Sequence, residues 1–127
     1  LEFRRVLFRS IYVLDRCVEC GCCIAGCGTV RIRPDFVGGV GINKIARFRL
    51  DPRDTRNDAD YYEVVGDESG VFGCMSLLAC HDFCPKDLPL KTQIAFIRRK
   101  MAEQGMRGYD KVLPSQKKAI PIKPVRQ

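Results

Sequence analysis

The stretch CVECGCCIAGC, residues 17 to 27, decides the fold of this chain of 127 residues. Its regular spacing is set by Cys17, Cys20, Cys23 and Cys27. A second group follows later, with Cys74, Cys80 and Cys84. Cysteines crowded this closely seldom reach disulfide geometry without strain. The first ten residues also lack the apolar segment of a secretory signal peptide. The pattern therefore favours metal ligation over a disulfide framework.

The gaps of two, two and three residues are those of the run used by bacterial ferredoxins. In that run three cysteines hold one [4Fe–4S] cluster and the fourth reaches a second cluster. Two-residue gaps let a curling backbone aim successive thiolates at one cluster, while a cysteine one turn further on points away. Cys22 falls outside this register, and we interpret it as a packed bystander.

The second group repeats the run with one substitution, because position 77 holds leucine where a middle cysteine is expected. Pairing the two runs crosswise predicts two sites. The first, a [4Fe–4S] site, has the ligands Cys17, Cys20, Cys23 and Cys84. The second has only Cys27, Cys74 and Cys80, with Leu77 at the vacant corner, which suits a [3Fe–4S] cluster. Structural zinc takes four ligands in one closed site, so interleaved thiolates fit zinc poorly.

The remaining pattern predicts an all-α domain, since no strand-type alternation is present. A helix is expected within residues 36–50, with Val40, Ile45 and Phe48 on its apolar side. A short acidic helix is expected at residues 58–65. The clearest helix spans residues 89–104, where Leu90, Ile94, Ile97 and Met101 follow a period near 3.6 and Gly105 stands at the C′ position.

The formal charge of +7 invites a nucleic-acid interpretation. However, an acidic block at residues 51–70 divides the basic residues, and no nucleic-acid motif is present, so we expect no nucleic-acid partner. Arg31, Arg33 and Lys86 lie near the cysteine runs in sequence, where their charge would offset anionic clusters. His81, the only histidine, follows Cys80 and is expected to donate a hydrogen bond rather than to bind metal.

The two ends of the chain are expected to lie outside the domain. Residues 1–10, LEFRRVLFRS, resemble the translation of a sequencing-library adapter, and we interpret them as an artefact joined to a truncated gene. Residues 105–127 carry prolines among lysines and are expected to form an extended basic tail. The domain itself is expected to span residues 11–104.

The runs CVECGCCIAGC and CMSLLACHDFCP resemble the carboxy-terminal domain of the iron–sulfur subunits of succinate dehydrogenases and fumarate reductases. The stretches DFVGGVGINKIARFRLDPRD and DADYYEVVGDESGVFGC resemble most the fumarate reductase branch with a dihaem cytochrome b anchor. The resemblance implies an α-helical ferredoxin-like fold with [4Fe–4S] and [3Fe–4S] clusters. It also implies an upstream domain with a [2Fe–2S] cluster, which we expect to be missing from this fragment.

The resemblance further implies a non-catalytic electron-transfer subunit at the cytoplasmic face of the inner membrane. Its partners would be a flavoprotein carrying FAD, where succinate and fumarate interconvert, and a membrane cytochrome b that serves quinone. The chain has no tryptophan, and Met75 follows Cys74 where succinate–ubiquinone relatives have histidine. These departures disfavour a quinone site on this subunit, so contact with quinone is expected to be indirect.

Two other functions remain open at this point. One is a helical cluster module of another flavin dehydrogenase or of a heterodisulfide reductase-like complex, whose members usually keep the cysteine that Leu77 replaces. The other is a zinc-stabilised interaction module without redox chemistry. No nucleophile or acid–base pair for catalysis is recognisable in the sequence, so we predict no catalytic residue.

Overall fold

A computed structural model describes residues 11–111. Its helices are α1 (Tyr12–Asp15), α2 (Cys22–Ala25), α3 (Gly28–Ile32), α4 (Gly38–Leu50), α5 (Asp58–Val65), α6 (Ala79–Asp82) and α7 (Leu90–Lys111), with one 3₁₀ turn at Val71–Gly73. This part of the chain contains no β-strand, which confirms the predicted all-α class. The predictions for residues 1–10, and for the tail beyond Lys111, lie outside the described residues.

The core forms where α7 packs against α4 and α5. The side chains of α7 predicted to be apolar are all buried, namely Leu90, Ile94, Ile97 and Met101. They meet Ile42 and Ala46 of α4 and Tyr61 and Val65 of α5 in one cluster. Full burial of a side chain of this size contributes about 1.5–3 kcal/mol before conformational entropy is subtracted. The long helix therefore acts as the support against which the shorter elements are fixed.

The end predicted for α7 was wrong. The helix continues past Gln104 to Lys111 instead of stopping at a C′ glycine. A glycine that ends a helix adopts a left-handed backbone, but Gly105 has no positive φ. A Cβ at Gly105 would instead lie 3.2 Å from the hydroxyl oxygen of Tyr62. The glycine therefore permits close packing between α7 and α5, a role that the sequence pattern did not separate from a cap.

The helix predicted within residues 36–50 is present as α4, but its buried face differs from the prediction. The residues it buries are Gly38, Gly39, Ile42, Asn43 and Ala46. Phe48, predicted to be on the apolar side, is 41% exposed. The guanidinium groups of Arg47 and Arg56 lie 5.2 and 5.3 Å from the centre of its ring. The ring therefore packs against cations at the surface, a favourable arrangement for an aromatic face.

The acidic helix α5 has the predicted bounds, and its start is fixed by a capping box. The Asn57 side chain accepts hydrogen bonds from the backbone N–H groups of Ala59 and Asp60, at 2.8 and 3.1 Å. The Asp60 carboxylate in turn accepts from the Asn57 N–H at 2.9 Å. Such reciprocal bonds satisfy donors that a helix start leaves unpaired.

Within residues 11–111, no helix combines the length and the apolar character needed to cross a bilayer.

Candidate metal centres

The first predicted ligand set lines a single pocket. This pocket has a volume of about 380 Å³, including its open mouth. The thiols around it are those of Cys17, Cys20, Cys23 and Cys84. Pro85, Lys86 and Asn43 complete part of the wall. The structure thus brings Cys84 of the second run to the three evenly spaced cysteines of the first.

The second predicted set lines another pocket, of about 250 Å³. Its thiols are those of Cys27, Cys74 and Cys80, so the first run contributes one cysteine here. Leu77 and Leu78 form part of the same wall. The grouping of four thiols in one pocket and three in the other is the crosswise arrangement that the spacing indicates.

The backbone of the two runs follows the same course. In the first run Glu19 and Gly21 have positive φ angles of 56° and 80°. At the corresponding places of the second run, Ser76 and Leu78 have φ angles of 58° and 61°. In each run a four-residue helix follows directly, α2 in the first and α6 in the second. These left-handed residues turn the chain so that the flanking side chains converge on one pocket.

Leu77 occupies the place in the second run that Cys20 occupies in the first, between the two left-handed residues. Its side chain is 66% exposed and borders the pocket of Cys27, Cys74 and Cys80. A Cβ at Gly28 would lie 2.8 Å from the Leu77 Cδ1 atom, so leucine packs over the start of α3. A hydrocarbon side chain therefore stands where the matching loop presents a thiol.

The start of α4 lies between the two pockets. A Cβ at Gly39 would lie 3.1 Å from the Cys80 Cβ and 3.5 Å from the Cys23 Cβ. Cys23 belongs to the first pocket and Cys80 to the second, so a glycine at this position leaves room for both without displacing either. Burial raises the pKa of the Cys23 thiol, and a hydrogen bond from the backbone N–H of Val40 opposes that rise.

The thiols of the second pocket influence one another. Burial raises the pKa of the Cys80 thiol, and the charges of Cys74 and Cys27 raise it further. The Cys74 sulfur accepts a hydrogen bond from the Ser76 backbone N–H at 3.4 Å. Burial and the neighbouring charges therefore disfavour an ionised Cys80 unless positive charge, such as that of bound iron, is present in the pocket.

Cys22 lines neither pocket, although it stands between two cysteines that line the first. It is exposed, at the first position of α2. A hydrogen bond from the Cys22 backbone N–H lowers the pKa of Cys20 most, with a further contribution from the Cys22 thiol. The same thiol–thiol contact raises the pKa of Cys22 itself. Cys20 therefore ionises more readily than its neighbour.

Several supporting residues had no recognisable signal in the sequence. The hydroxyl of Thr29, which is buried, accepts the Met75 N–H at 3.3 Å and ties the second run to α3. The amide nitrogen of the fully buried Asn43 donates to the Leu14 carbonyl at 3.2 Å, and its oxygen has no partner within the described residues. These long-range contacts depend on the fold, so no local pattern marks them.

The other polar residues near the runs have separate roles. His81 Nδ1 lies 3.1 Å from the Leu88 carbonyl oxygen, and the side chain lines neither pocket. Lys86 does border the first pocket. Arg33, in contrast, forms ion pairs with Glu68 at 2.9 Å and with Asp35 at 3.8 Å. Of the three basic residues considered from the sequence, Lys86 lines one of these two pockets, and Arg31 and Arg33 line neither.

The donor sets fit iron–sulfur clusters. Soft thiolates are the ligands on which such clusters depend, and the second pocket presents only cysteine as a metal-ligating side chain. Glu19 at the mouth of the first pocket is held by Lys44 at 2.7 Å. Among the described residues, no group of three His, Cys, Asp or Glu is placed for a single metal ion. A cluster of several atoms holds its thiolates farther apart than one ion does.

Comparison with known proteins gives matches to iron–sulfur proteins. The family model described as a 4Fe-4S dicluster domain matches residues 13–88. The fumarate reductase iron–sulfur subunit of Wolinella succinogenes is 62% identical over 93 residues, covering 73% of this chain and 39% of that protein.

Two more distant relatives are also iron–sulfur subunits. The succinate dehydrogenase iron–sulfur subunit of Bacillus subtilis is 31% identical over 98 residues, covering 77% of this chain and 39% of that protein. The corresponding succinate dehydrogenase protein of Coxiella burnetii is 31% identical over 96 residues, covering 75% of this chain and 40% of that protein. The chain therefore spans about two fifths of the length of these three relatives.

Proposed function

The chain belongs to the 4Fe-4S dicluster domain family, with iron–sulfur subunits of fumarate reductases and succinate dehydrogenases as homologues, and from this membership we propose that it is an electron-transfer subunit of such a complex. The observation that carries the proposal is the sorting of seven cysteines into two neighbouring pockets, four in one and three in the other. When bound, the clusters would accept and release single electrons. The chain would position them and contribute no catalytic residue.

In this proposal Cys17, Cys20, Cys23 and Cys84 hold a [4Fe–4S] cluster. Cys27, Cys74 and Cys80 hold a [3Fe–4S] cluster. The hydrocarbon side chain of Leu77 cannot bind iron, and it occupies the position where a fourth thiolate would complete the second site. Gly39 lets the two ligand shells approach each other, which favours electron passage between the sites.

The proposed partners are a flavoprotein subunit with FAD and a membrane cytochrome b, with an upstream [2Fe–2S] domain as a third relay. The high identity to the Wolinella protein supports the fumarate reductase branch, for which we propose a dihaem anchor and only indirect contact with quinone. The surface around the second pocket is exposed and apolar at Met75 and Leu77. Such a surface suits burial against another protein of the complex, and we propose a peripheral location at the cytoplasmic face of the membrane.

A cluster module of another flavin dehydrogenase or of a heterodisulfide reductase-like complex would keep a thiolate at position 77, so Leu77 disfavours that alternative. A zinc-stabilised module would need closed four-ligand sites, whereas the second pocket has three thiols. Each alternative therefore predicts a metal content that differs from that of the proposed function.

Metal and sulfide analysis tests the proposal. The chain would be produced anaerobically together with its partner subunits, and iron, acid-labile sulfide and zinc would be measured in the purified complex. We expect non-haem iron and acid-labile sulfide in the proportion of the two clusters and zinc at background. Zinc bound without iron and sulfide would overturn the redox function.

A further inference from the structure

Arg98 of α7 holds the segment that carries Cys74. Its Nη2 atom donates to the Cys74 carbonyl oxygen at 2.5 Å and to the Val71 carbonyl oxygen at 3.4 Å. Its Nη1 atom donates to the Ser76 hydroxyl at 2.9 Å. All three acceptors lie in one short stretch around a predicted ligand. The planar guanidinium thus joins the longest helix of the domain to the loop of the second pocket.

Within the part of the chain whose side chains are described, no carboxylate pairs with this guanidinium. Among residues 11–107, whose side chains the structure describes, Arg98 takes part in no ion pair, and its side chain is only half-exposed. The next residue, Arg99, pairs with Glu103 at 3.5 Å and is 70% exposed. A partly buried, uncompensated cation acts over a longer distance than a paired and solvated one.

The second pocket has a particular need for such support. It has three thiols instead of four, and Cys74 lies just before the left-handed residues Ser76 and Leu78. Non-glycine residues in this conformation persist only where their surroundings hold them. Thr29 fixes the Met75 N–H from one side, and Arg98 binds the Cys74 carbonyl and the Ser76 hydroxyl. The second pocket is therefore braced by contacts from two separate helices.

We propose that Arg98 is a positioning residue of the second centre, fixing Cys74 and supplying the positive charge that favours the reduced state of the cluster there. The inference rests on the proposed function, since it concerns the cluster that Cys27, Cys74 and Cys80 would hold. Reduction adds one electron and therefore negative charge to this site, and a nearby fixed cation stabilises that charge.

The test compares R98Q, R98K and the control R99Q in the assembled, iron-loaded complex. Redox titration followed by electron paramagnetic resonance reports the two clusters separately, and iron content reports occupancy. In R98Q we expect the equilibrium constant for reduction of the second cluster to fall about tenfold, which lowers its reduction potential by about 59 mV for one electron. The first cluster should keep its potential. R98K should fall between R98Q and wild type, and R99Q should match wild type at both clusters.

The result depends on which of the two clusters changes in R98Q. Selective loss of the second cluster in R98Q, with the first intact and R98K restoring iron, supports the inference as strongly as the shift does. An unchanged second cluster in R98Q overturns it, and so does an equal change at both clusters, because that would reflect general loss of fold. A wild-type complex without any iron–sulfur signal is a different result, which overturns the proposed function and this inference with it.

Discussion

Cys20 and Cys22 lie two residues apart, yet their surroundings differ. Cys20 lines the first pocket with three other thiols, whereas Cys22 lines neither pocket and is exposed at the start of α2. The spacing of the run separates the two from sequence alone, because only the cysteines at regular intervals can face one cluster. In the structure, the left-handed Gly21 turns the chain between the two cysteines.

The register predicts different outcomes for two serine substitutions. We expect Cys22→Ser to leave the iron content and both cluster signals unchanged, since its thiol borders neither site. Cys23→Ser removes a thiol from the wall of the first pocket and should cause loss of the [4Fe–4S] signal. Iron analysis and electron paramagnetic resonance of the reduced complex provide the measurement. Equal losses in the two variants would show that the assigned register is wrong.

At the scale of elements, α4 connects the two centres to the core. Its first turn lies between Cys23 and Cys80, and its buried side chains Ile42 and Ala46 pack in the core with α7. The sequence predicts the helix itself from its apolar content. It did not predict the buried face or the role of Gly39, because both depend on which elements approach α4 from other parts of the chain.

Gly39→Ala tests the close approach at this helix. The added Cβ would lie 3.1 Å from the Cys80 Cβ, so this ligand of the second centre must be displaced by a few tenths of an ångström, whereas the Cys23 Cβ at 3.5 Å stays in ordinary contact. Overpacking of this kind costs about 1–3 kcal/mol. We expect reduced iron content, with the signal of the second cluster affected more than that of the first. Gly105→Ala is the matched control, since its Cβ meets only the side chain of Tyr62 and should leave both signals intact.

The ion pairs at the junction after α4 should make the free energy of unfolding depend on pH. Asp51, at the C-cap of α4, accepts from Arg53 Nη2 at 2.7 Å and from Arg47 Nη1 at 3.2 Å. The side chain and backbone N–H of Arg53 hold the Asp51 pKa well below its ordinary value of 3.8. Well above pH 3.8 the carboxylate is ionised in both the folded and the unfolded chain, so its stabilising contribution is complete. As the pH falls below 3.8 the unfolded chain binds the proton first, and this contribution is lost.

Asp51→Asn should therefore lower the free energy of unfolding at pH 7 and make its decline below pH 3.8 less steep. Denaturant unfolding of the complex, followed by circular dichroism at a series of pH values, measures both effects. The matched control is Glu63→Gln on the exposed side of α5, which removes the same charge and should reproduce the wild-type curve. A decline in Asp51→Asn as steep as in wild type would contradict the assignment.

At the scale of the whole molecule, the chain is a helical scaffold that gathers two distant cysteine runs. The sequence predicts the all-α class, the helix at residues 58–65 and the division of cysteines into two groups, because helical periodicity and ligand spacing are local properties. The end predicted for α7 was wrong, because the sequence does not distinguish a glycine that packs against Tyr62 from a glycine that caps a helix. Arg98 and Thr29 act across long sequence separations, so they had no local signal.

The proposed difference between the two centres rests on Leu77, which borders the second pocket at the position that Cys20 holds in the first run. The deciding measurement is electron paramagnetic resonance of the oxidised, anaerobically prepared complex, because a [3Fe–4S] cluster is paramagnetic in that state and a [4Fe–4S]²⁺ cluster is silent. We predict a [3Fe–4S] signal in wild type, its persistence in the control Leu77→Ala, and its loss in Leu77→Cys with a gain of iron. Absence of the signal in wild type, or its unchanged survival in Leu77→Cys, would show that no vacant corner exists at position 77.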